Sequence, residues 1–304
     1  DEANQSMGVV VPDDQLSLAI REINPRMVMT SISGFGQTGP YAQRAGFDTI
    51  GQAMGGLMGM TGPPDLPPMD AGGAICDISS GVFGALGTMM ALYHQKCTGM
   101  GQHVESTLME SVVFLMGLNL AFYVGGKPVE KGGLFGLSRT SGAGRFVTKD
   151  NVYIIIMAQM DNFWRIMARL IGREDLDDTP GYRTRDERAQ RAQEIEDLMQ
   201  AWVIQHTIDE VEAIMEELGI PYGRIQTIPE VLEDPHLNAR GRFQEINAYG
   251  DLLKLLSPYP ILSETPGSIR TVWPRPGQHN KEIYGDILGF SQTELDKMKN
   301  EGII

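Results

Sequence analysis

Asp77 is the residue of this 304-residue chain best placed to do chemistry. It is the only charged side chain between Asp70 and His94. It stands where a proline- and glycine-rich approach gives way to a long apolar helix pattern, from about 79 to 96. A lone carboxylate at such a junction has two readings. It is an N-cap that accepts hydrogen bonds from the free amides of the first turn. Or it is a carboxylate nucleophile at the positive end of the helix.

The neighbouring groups narrow the chemistry. Cys76 adjoins Asp77 and reads as a small buried filler. Asp48 precedes a second helix pattern, over 49–60, and is another N-cap candidate. His94 and His103 flank a turn over 96–102 and read as structural or surface residues. No His and Cys group has metal-ligand spacing, so no metal is expected. Gly34, Gly36 and Gly39 form a loop, but their spacing is not that of a dinucleotide fingerprint.

These residues need elements to hold them. The apolar run 27–32 reads as a strand covered on both faces, and the glycine loop 34–40 leaves its C-terminal end, where α/β sheets bind ligands. The helix patterns after Asp48 and Asp77 carry Gly51, Gly55, Gly56, Gly81, Gly84 and Gly87, which implies close backbone packing. A short strand over 103–106 and a Met- and Leu-rich helix over 107–123 follow. Residues 125–144 are glycine-rich and read as a linker or loop. A hairpin over 145–157, a helix over 160–171, two amphipathic helices over 183–219 and a short helix from 228 compose a small α+β domain, 145–241. Residues 242–304, with Pro258, Pro260, Pro266, Pro274 and Pro276, read as an extended return segment on the large domain, 1–124.

Composition bounds the partners. There are 39 acidic and 25 basic residues, net −14, which argues against a nucleic-acid surface. No apolar run reaches the ~20 residues of a membrane span. Two cysteines do not make a disulfide framework, and this fits a cytoplasmic location. The chain opens Asp1-Glu2-Ala3-Asn4, with no initiator Met, and reads as the interior of a longer protein.

Four blocks together resemble the family III CoA-transferases, the group of formyl-CoA transferase, crotonobetainyl-CoA:carnitine CoA-transferase and the α-methylacyl-CoA racemases. The first is Asn24-Pro25-Arg26 with the run from Ser31 to Pro40. The second is Gly46-Phe47-Asp48 with Gln52-Ala53-Met54-Gly55-Gly56 and Thr61-Gly62. The third is Asp77 with Gly81 and Thr98-Gly99-Met100-Gly101-Gln102. The fourth is Gly219-Ile220-Pro221 with Asp234-Pro235 and Gly277-Gln278-His279.

The resemblance implies an α/β fold with a Rossmann-like large domain, incomplete at its N-terminus, and an intertwined dimer. A heteromer whose other chain supplies the remaining segment is the alternative. It places the catalytic aspartate at Asp77 and contact with coenzyme A at Ala45, Gly46, Phe47 and Asp48. It loosely likens the glycine loop ending at Gly142 and Gly144 to one that closes over the intermediate. The implied activity moves CoA between carboxylic acids through aspartyl anhydride and aspartyl-CoA intermediates. Acyl-CoA is then a substrate, with no permanently bound cofactor, ATP or metal. Amides at the start of the Asp77 helix and in the glycine loop are expected to hold the oxyanions. Racemases of the family carry His where this chain has Phe47, and an aromatic hydrocarbon moves no proton. Racemisation and a non-catalytic subunit role are the rival readings. Met54, Met58, Met60 and Met69 are candidates to shape an acyl pocket, and Arg44 and Arg139 to pair with a dicarboxylate.

Overall fold

The computed structural model describes residues 19–126, 129, 131, 132 and 141–304. Arg139 and most of the glycine-rich stretch lie outside the described residues. The fold is mixed α/β, and the chain divides into two compact units, 1–224 and 225–304.

Within the first unit, strand β1 (Met29–Ser33) pairs in parallel with β2 (His103–Thr107), from Met29 opposite His103 to Ser33 opposite Thr107. Between them run α1 (Asp48–Met54), α2 (Leu57–Met60) and the 24-residue α3 (Ile75–Thr98). The helix pattern over 49–60 is broken in two because Gly56 adopts a left-handed φ of 90° and opens α2. Helix α3 ends at Gly99, which is also left-handed and donates its N–H to the Gln95 carbonyl. The helix expected over 107–123 is likewise two, α4 (Leu108–Leu115) and α5 (Gly117–Val124), broken at Met116.

The glycines of these helices mark where backbones meet. A Cβ on Gly84 would lie 3.1 Å from the Ile32 side chain, and one on Gly87 2.6 Å from that of Val104. Helix α3 therefore rests on β1 and β2 through its glycines. A Cβ on Gly51 would meet Cys76 Sγ at 3.0 Å, and one on Gly55 Val112 at 2.2 Å, which fixes α1 against α3 and α4. By length and composition α3 would suffice to cross a membrane. Gly84 and Gly87 seat one face of it on two strands, and its other face leaves Ile78, Val82 and Met89 exposed.

The rest of the first unit is a three-stranded antiparallel sheet, β3 (Ala143–Val147), β4 (Tyr153–Met157) and β5 (Tyr222–Arg224), with β4 in the middle. Around it lie α6 (Asp161–Leu170), α7 (Arg185–Ala189), α8 (Ala192–Val203) and α9 (Ile208–Leu218). A Thr207–Glu210 capping box starts α9. The charged stretch 183–219 thus holds three helices, since Gln190 and Arg191 interrupt its first half.

The second unit contains α10 (Ile228–Glu233), α11 (Pro235–Ala239), the hairpin β6 (Phe243–Ala248) and β7 (Asp251–Leu256), a π-helical stretch (Lys281–Ile287) and α12 (Gln292–Asn300). The sequence pattern does not disclose β5 or the β6–β7 hairpin. Residues 257–279 form no helix or strand, as their prolines require.

Candidate functional site

Helix α3 begins at Ile75, four residues before its apolar pattern becomes regular, and this moves Asp77 from the junction into the first turn. The N-cap is Ala74, whose side chain caps nothing. The cap comes from α1. Asp48 Oδ2 accepts the amides of Cys76 at 2.7 Å and Asp77 at 3.1 Å. A carboxylate from a neighbouring helix satisfies the donors that an N-cap residue ordinarily takes. The capping reading of Asp77 is therefore corrected. That role belongs to Asp48, and it caps α3 rather than the start of its own helix.

Asp77 itself is exposed, and among the described residues its carboxylate makes no hydrogen bond or ion pair. Its main chain is well held. The carbonyls of Cys76 and Asp77 accept from Ser79 and Ser80 hydroxyls, and Ser106 donates to the Ser80 carbonyl. A fixed backbone thus presents an unengaged carboxylate, the arrangement a nucleophile needs.

The same geometry corrects the expectation that the start of α3 supplies oxyanion donors. The Ile75 amide donates to the Gly73 carbonyl, those of Cys76 and Asp77 to Asp48, and that of Ile78 to the Ala74 carbonyl. All four donors of the first turn are engaged.

Cys76 is fully buried against Leu108 and Val112. Burial, then the charges of Asp48 and Asp77, push its thiol up to about 11. It stays a neutral thiol at physiological pH and is no nucleophile.

Sequence reasoning passed over the role of Gln52. This side chain is 1% exposed. Its Nε2 donates to Asp48 Oδ1 at 2.5 Å and to the Gly73 carbonyl at 3.2 Å. Its Oε1 accepts the Ala71 amide at 2.9 Å. The sequence offered two signals, its place in the second block of the resemblance and its position four residues after Asp48, one helical turn on.

The segment before α1 is built on the β1 loop. Gly46 has no room for a side chain, since a Cβ there would lie 3.0 Å from the Phe35 ring and 3.1 Å from Gly34 Cα. Phe35 meets Tyr41 edge to face, and Arg44 lies over Tyr41 at 4.1 Å. Glu105 accepts the Gln37 amide and holds the loop. Ala45 and Phe47 are exposed on either side of Gly46, with Phe47 63% exposed. The structure thus brings Asp48 to Asp77 directly.

Gly142 and Gly144 sit elsewhere in the unit and are buried, Gly142 just before β3 and Gly144 within it. Gly142 has a φ of 83°, and a Cβ there would lie 2.8 Å from the Ala158 carbonyl. A Cβ on Gly144 would meet the Phe146 ring at 2.7 Å. Close packing at both positions, and the left-handed φ at Gly142, call for glycine. Met54 and Met60, with Met116, Asn119, Leu120 and Tyr123, line an open cavity of about 290 Å³. Met58 and Met69 are not among its lining residues. Among the described residues no group of three His, Cys, Asp or Glu is placed to hold a metal.

Known proteins share both this sequence and this fold. The model of CoA-transferase family III matches residues 16–280. The succinyl-CoA–D-citramalate CoA-transferase of Chloroflexus aurantiacus is 36% identical over 288 residues, covering 94% of this chain and 71% of that protein. The succinyl-CoA:glutarate CoA-transferase of Mus musculus is 30% identical over 288 residues, covering 94% of this chain and 65% of that protein. A CaiB/BaiF family protein from Brucella suis superimposes with a TM-score of 0.75 at 27% identity, covering 88% of this chain and 70% of that one. With most of its length matched in sequence and in fold, the chain belongs to CoA-transferase family III.

Proposed function

We propose that the protein is an acyl-CoA:carboxylate CoA-transferase in which Asp77 is the nucleophile. The observation that carries this reading is the division of labour between two carboxylates. Asp48 is spent on the amides of α3, and Asp77 is left exposed and unengaged in the same turn.

The reaction runs in four exchanges. An Asp77 oxygen attacks the thioester carbonyl, the C–S bond breaks, and a mixed anhydride and CoA thiolate result. The thiolate attacks the Asp77 acyl carbon, releasing the donor's carboxylate and leaving an aspartyl-CoA thioester. The acceptor carboxylate attacks that thioester, giving a second anhydride and freeing the thiolate. The thiolate then takes the acceptor's acyl carbon, and Asp77 is restored. No net proton or electron is consumed. Each anhydride-forming step develops an oxyanion, whose donors come from outside the first turn of α3. Ala45, Gly46 and Phe47 offer exposed chain for contact with CoA, and Phe47 leaves the site without the proton carrier that racemisation needs.

Several relatives are named for succinyl-CoA or for dicarboxylate acceptors, which favours short carboxylic acids as substrates here. A second copy of the chain covers an exposed apolar face in this reading. The outer faces of α3, α4 and α5 leave Ile78, Val82, Met89, Phe114, Tyr123 and Val124 at least 60% exposed, more apolar surface than an isolated chain keeps in water. Two relatives are named as the alpha and beta subunits of one enzyme, so a heteromer is the other form of the same proposal.

Incubation with acyl-CoA followed by hydroxylamine converts an aspartyl thioester to a hydroxamate, which peptide mass spectrometry locates. Modification is expected at Asp77, and Asp77→Ala is expected to abolish both adduct and turnover. Turnover that survives in Asp77→Ala rejects the mechanism.

A further inference from the structure

The Asp48 carboxylate that caps α3 is itself held by a side chain the reaction does not use. We propose that Gln52 is a positioning residue for Asp77 and acts through Asp48. The inference rests on the reading of Asp77 as nucleophile.

Three observations carry it. Gln52 is buried, and it uses both amide protons and its carbonyl oxygen on three partners. All three lie on the path to Asp77. Asp48 holds the Asp77 amide, and Ala71 and Gly73 belong to the segment that leads into α3. That segment has little else to fix it. A Cβ on Gly72 would meet nothing within 4 Å, one on Gly73 would touch only Ile75, and both residues are exposed.

The physical consequence concerns aim rather than binding. Without the Gln52 proton, Asp48 Oδ1 loses its short donor and the carboxylate turns more freely about its χ angles. The two amides it holds then shift, and the Asp77 side chain shifts with them. A displacement of about 1 Å at a reacting group costs on the order of 10²-fold in rate, whereas Ala45, Gly46 and Phe47, which the proposed function gives to CoA, are held by Gly46 packing on Gly34 and Phe35 and not by Gln52. The clamp therefore sets kcat and leaves KM for acyl-CoA in place.

The test uses the native protein in its natural oligomeric state. Gln52→Leu keeps the size of the side chain and removes all three hydrogen bonds. It is expected to lower kcat, and the rate of hydroxylamine-trapped modification at Asp77, by about 10²-fold with KM for acyl-CoA retained. Gln52→Glu sets a carboxylate against Asp48 and is expected to be worse. Adding Asp48→Asn to that variant restores a donor–acceptor pair with the roles exchanged, because the introduced amide donates to the introduced carboxylate, and recovers part of the rate. This pair also answers the question if Gln52→Leu does not fold. A Gln52→Leu protein that traps at the unaltered rate overturns the proposal. So does a parallel loss of kcat, KM and melting temperature with no recovery in the pair. An unaltered enzyme that gives no Asp77 adduct instead rejects the nucleophile reading, and the positioning role falls with it.

Discussion

Two parts of the first unit solve the folding problem differently. Residues 143–224 enclose a continuous core, in which Phe146, Ile154, Ile156, Trp164, Met167, Ile195, Met199, Val211, Met215 and Ile220 are at most 2% exposed. Residues 29–124, which carry Asp77, assemble only Cys76, Leu108 and Val112 into a buried cluster. They hold their place by backbone contact at glycines and by the Asp48–Gln52 hydrogen bonds. The first part gains its stability from apolar area removed from water. The second leaves much of its apolar area outside and keeps its polar geometry fixed. The part that carries Asp77 is thus the one with the small buried cluster and the larger exposed apolar surface.

The largest effect on stability is expected where the core is complete. Trp164 is 1% exposed and packs under the Arg188 guanidinium. Trp164→Ala is expected to cost about 3–5 kcal/mol, read from the denaturant midpoint. Phe114, an aromatic of the other part, is 73% exposed and meets the Phe83 ring edge to face at 5.2 Å. Phe114→Ala is expected to change the stability of the dissociated chain by no more than about 0.5 kcal/mol. Equal costs would erase the contrast between the two parts.

The second test asks whether glycine contacts stand in for a core around the site. A Cβ on Gly55 would lie 2.2 Å from Val112 Cγ1 and 3.1 Å from the Met109 carbonyl. Gly55→Ala is expected to destabilise by about 1–3 kcal/mol, because two of its obstacles, the Gly51 and Met109 carbonyls, are backbone. Gly59, in α2, faces open space. Gly59→Ala is expected to stabilise by about 0.4–1 kcal/mol through the unfolded chain. Thermal melts of both variants against the unaltered protein decide it, and a destabilising Gly59→Ala would mean that something outside the chain covers that face.

This contrast also explains what the sequence disclosed. Period and punctuation located β1, α3, the β3–β4 hairpin and α6, because each has its own apolar pattern and its own stop. The glycines of α1 and α3 announced close packing, and the contacts of Gly51, Gly55, Gly84 and Gly87 show what they pack against. Asp77 stood out by its isolation in an apolar stretch. That Asp48 rather than Asp77 caps α3 was not legible, because it depends on two helices meeting across 28 residues of chain. For the same reason the three hydrogen bonds of Gln52 were not legible, although the residue stands in the second block of the resemblance. The short strand β5 was hidden as well, since its three residues draw their pairing from β4 and show no pattern of their own.

The smallest effect within one chain tests the largest claim about the assembly. Leu86 lies on the outer face of α3 and is 50% exposed, between Val82 and Met89 at 60% and 64%. In the dissociated chain Leu86→Ser removes little that is buried, and its stability is expected to stay within about 0.5 kcal/mol. If a second copy covers this face, the same leucine is buried in the assembly, where a full Leu side chain contributes about 1.5–3 kcal/mol. Leu86→Ser is then expected to raise the subunit dissociation constant at least tenfold, measured by sedimentation across a dilution series. It is also expected to make the melting temperature depend more steeply on protein concentration, since association stabilises by mass action. A variant that associates as tightly as the unaltered protein would leave the α3 face open to water in the assembly. The part of the molecule around Asp77 would then have to be stable on glycine contacts and hydrogen bonds alone.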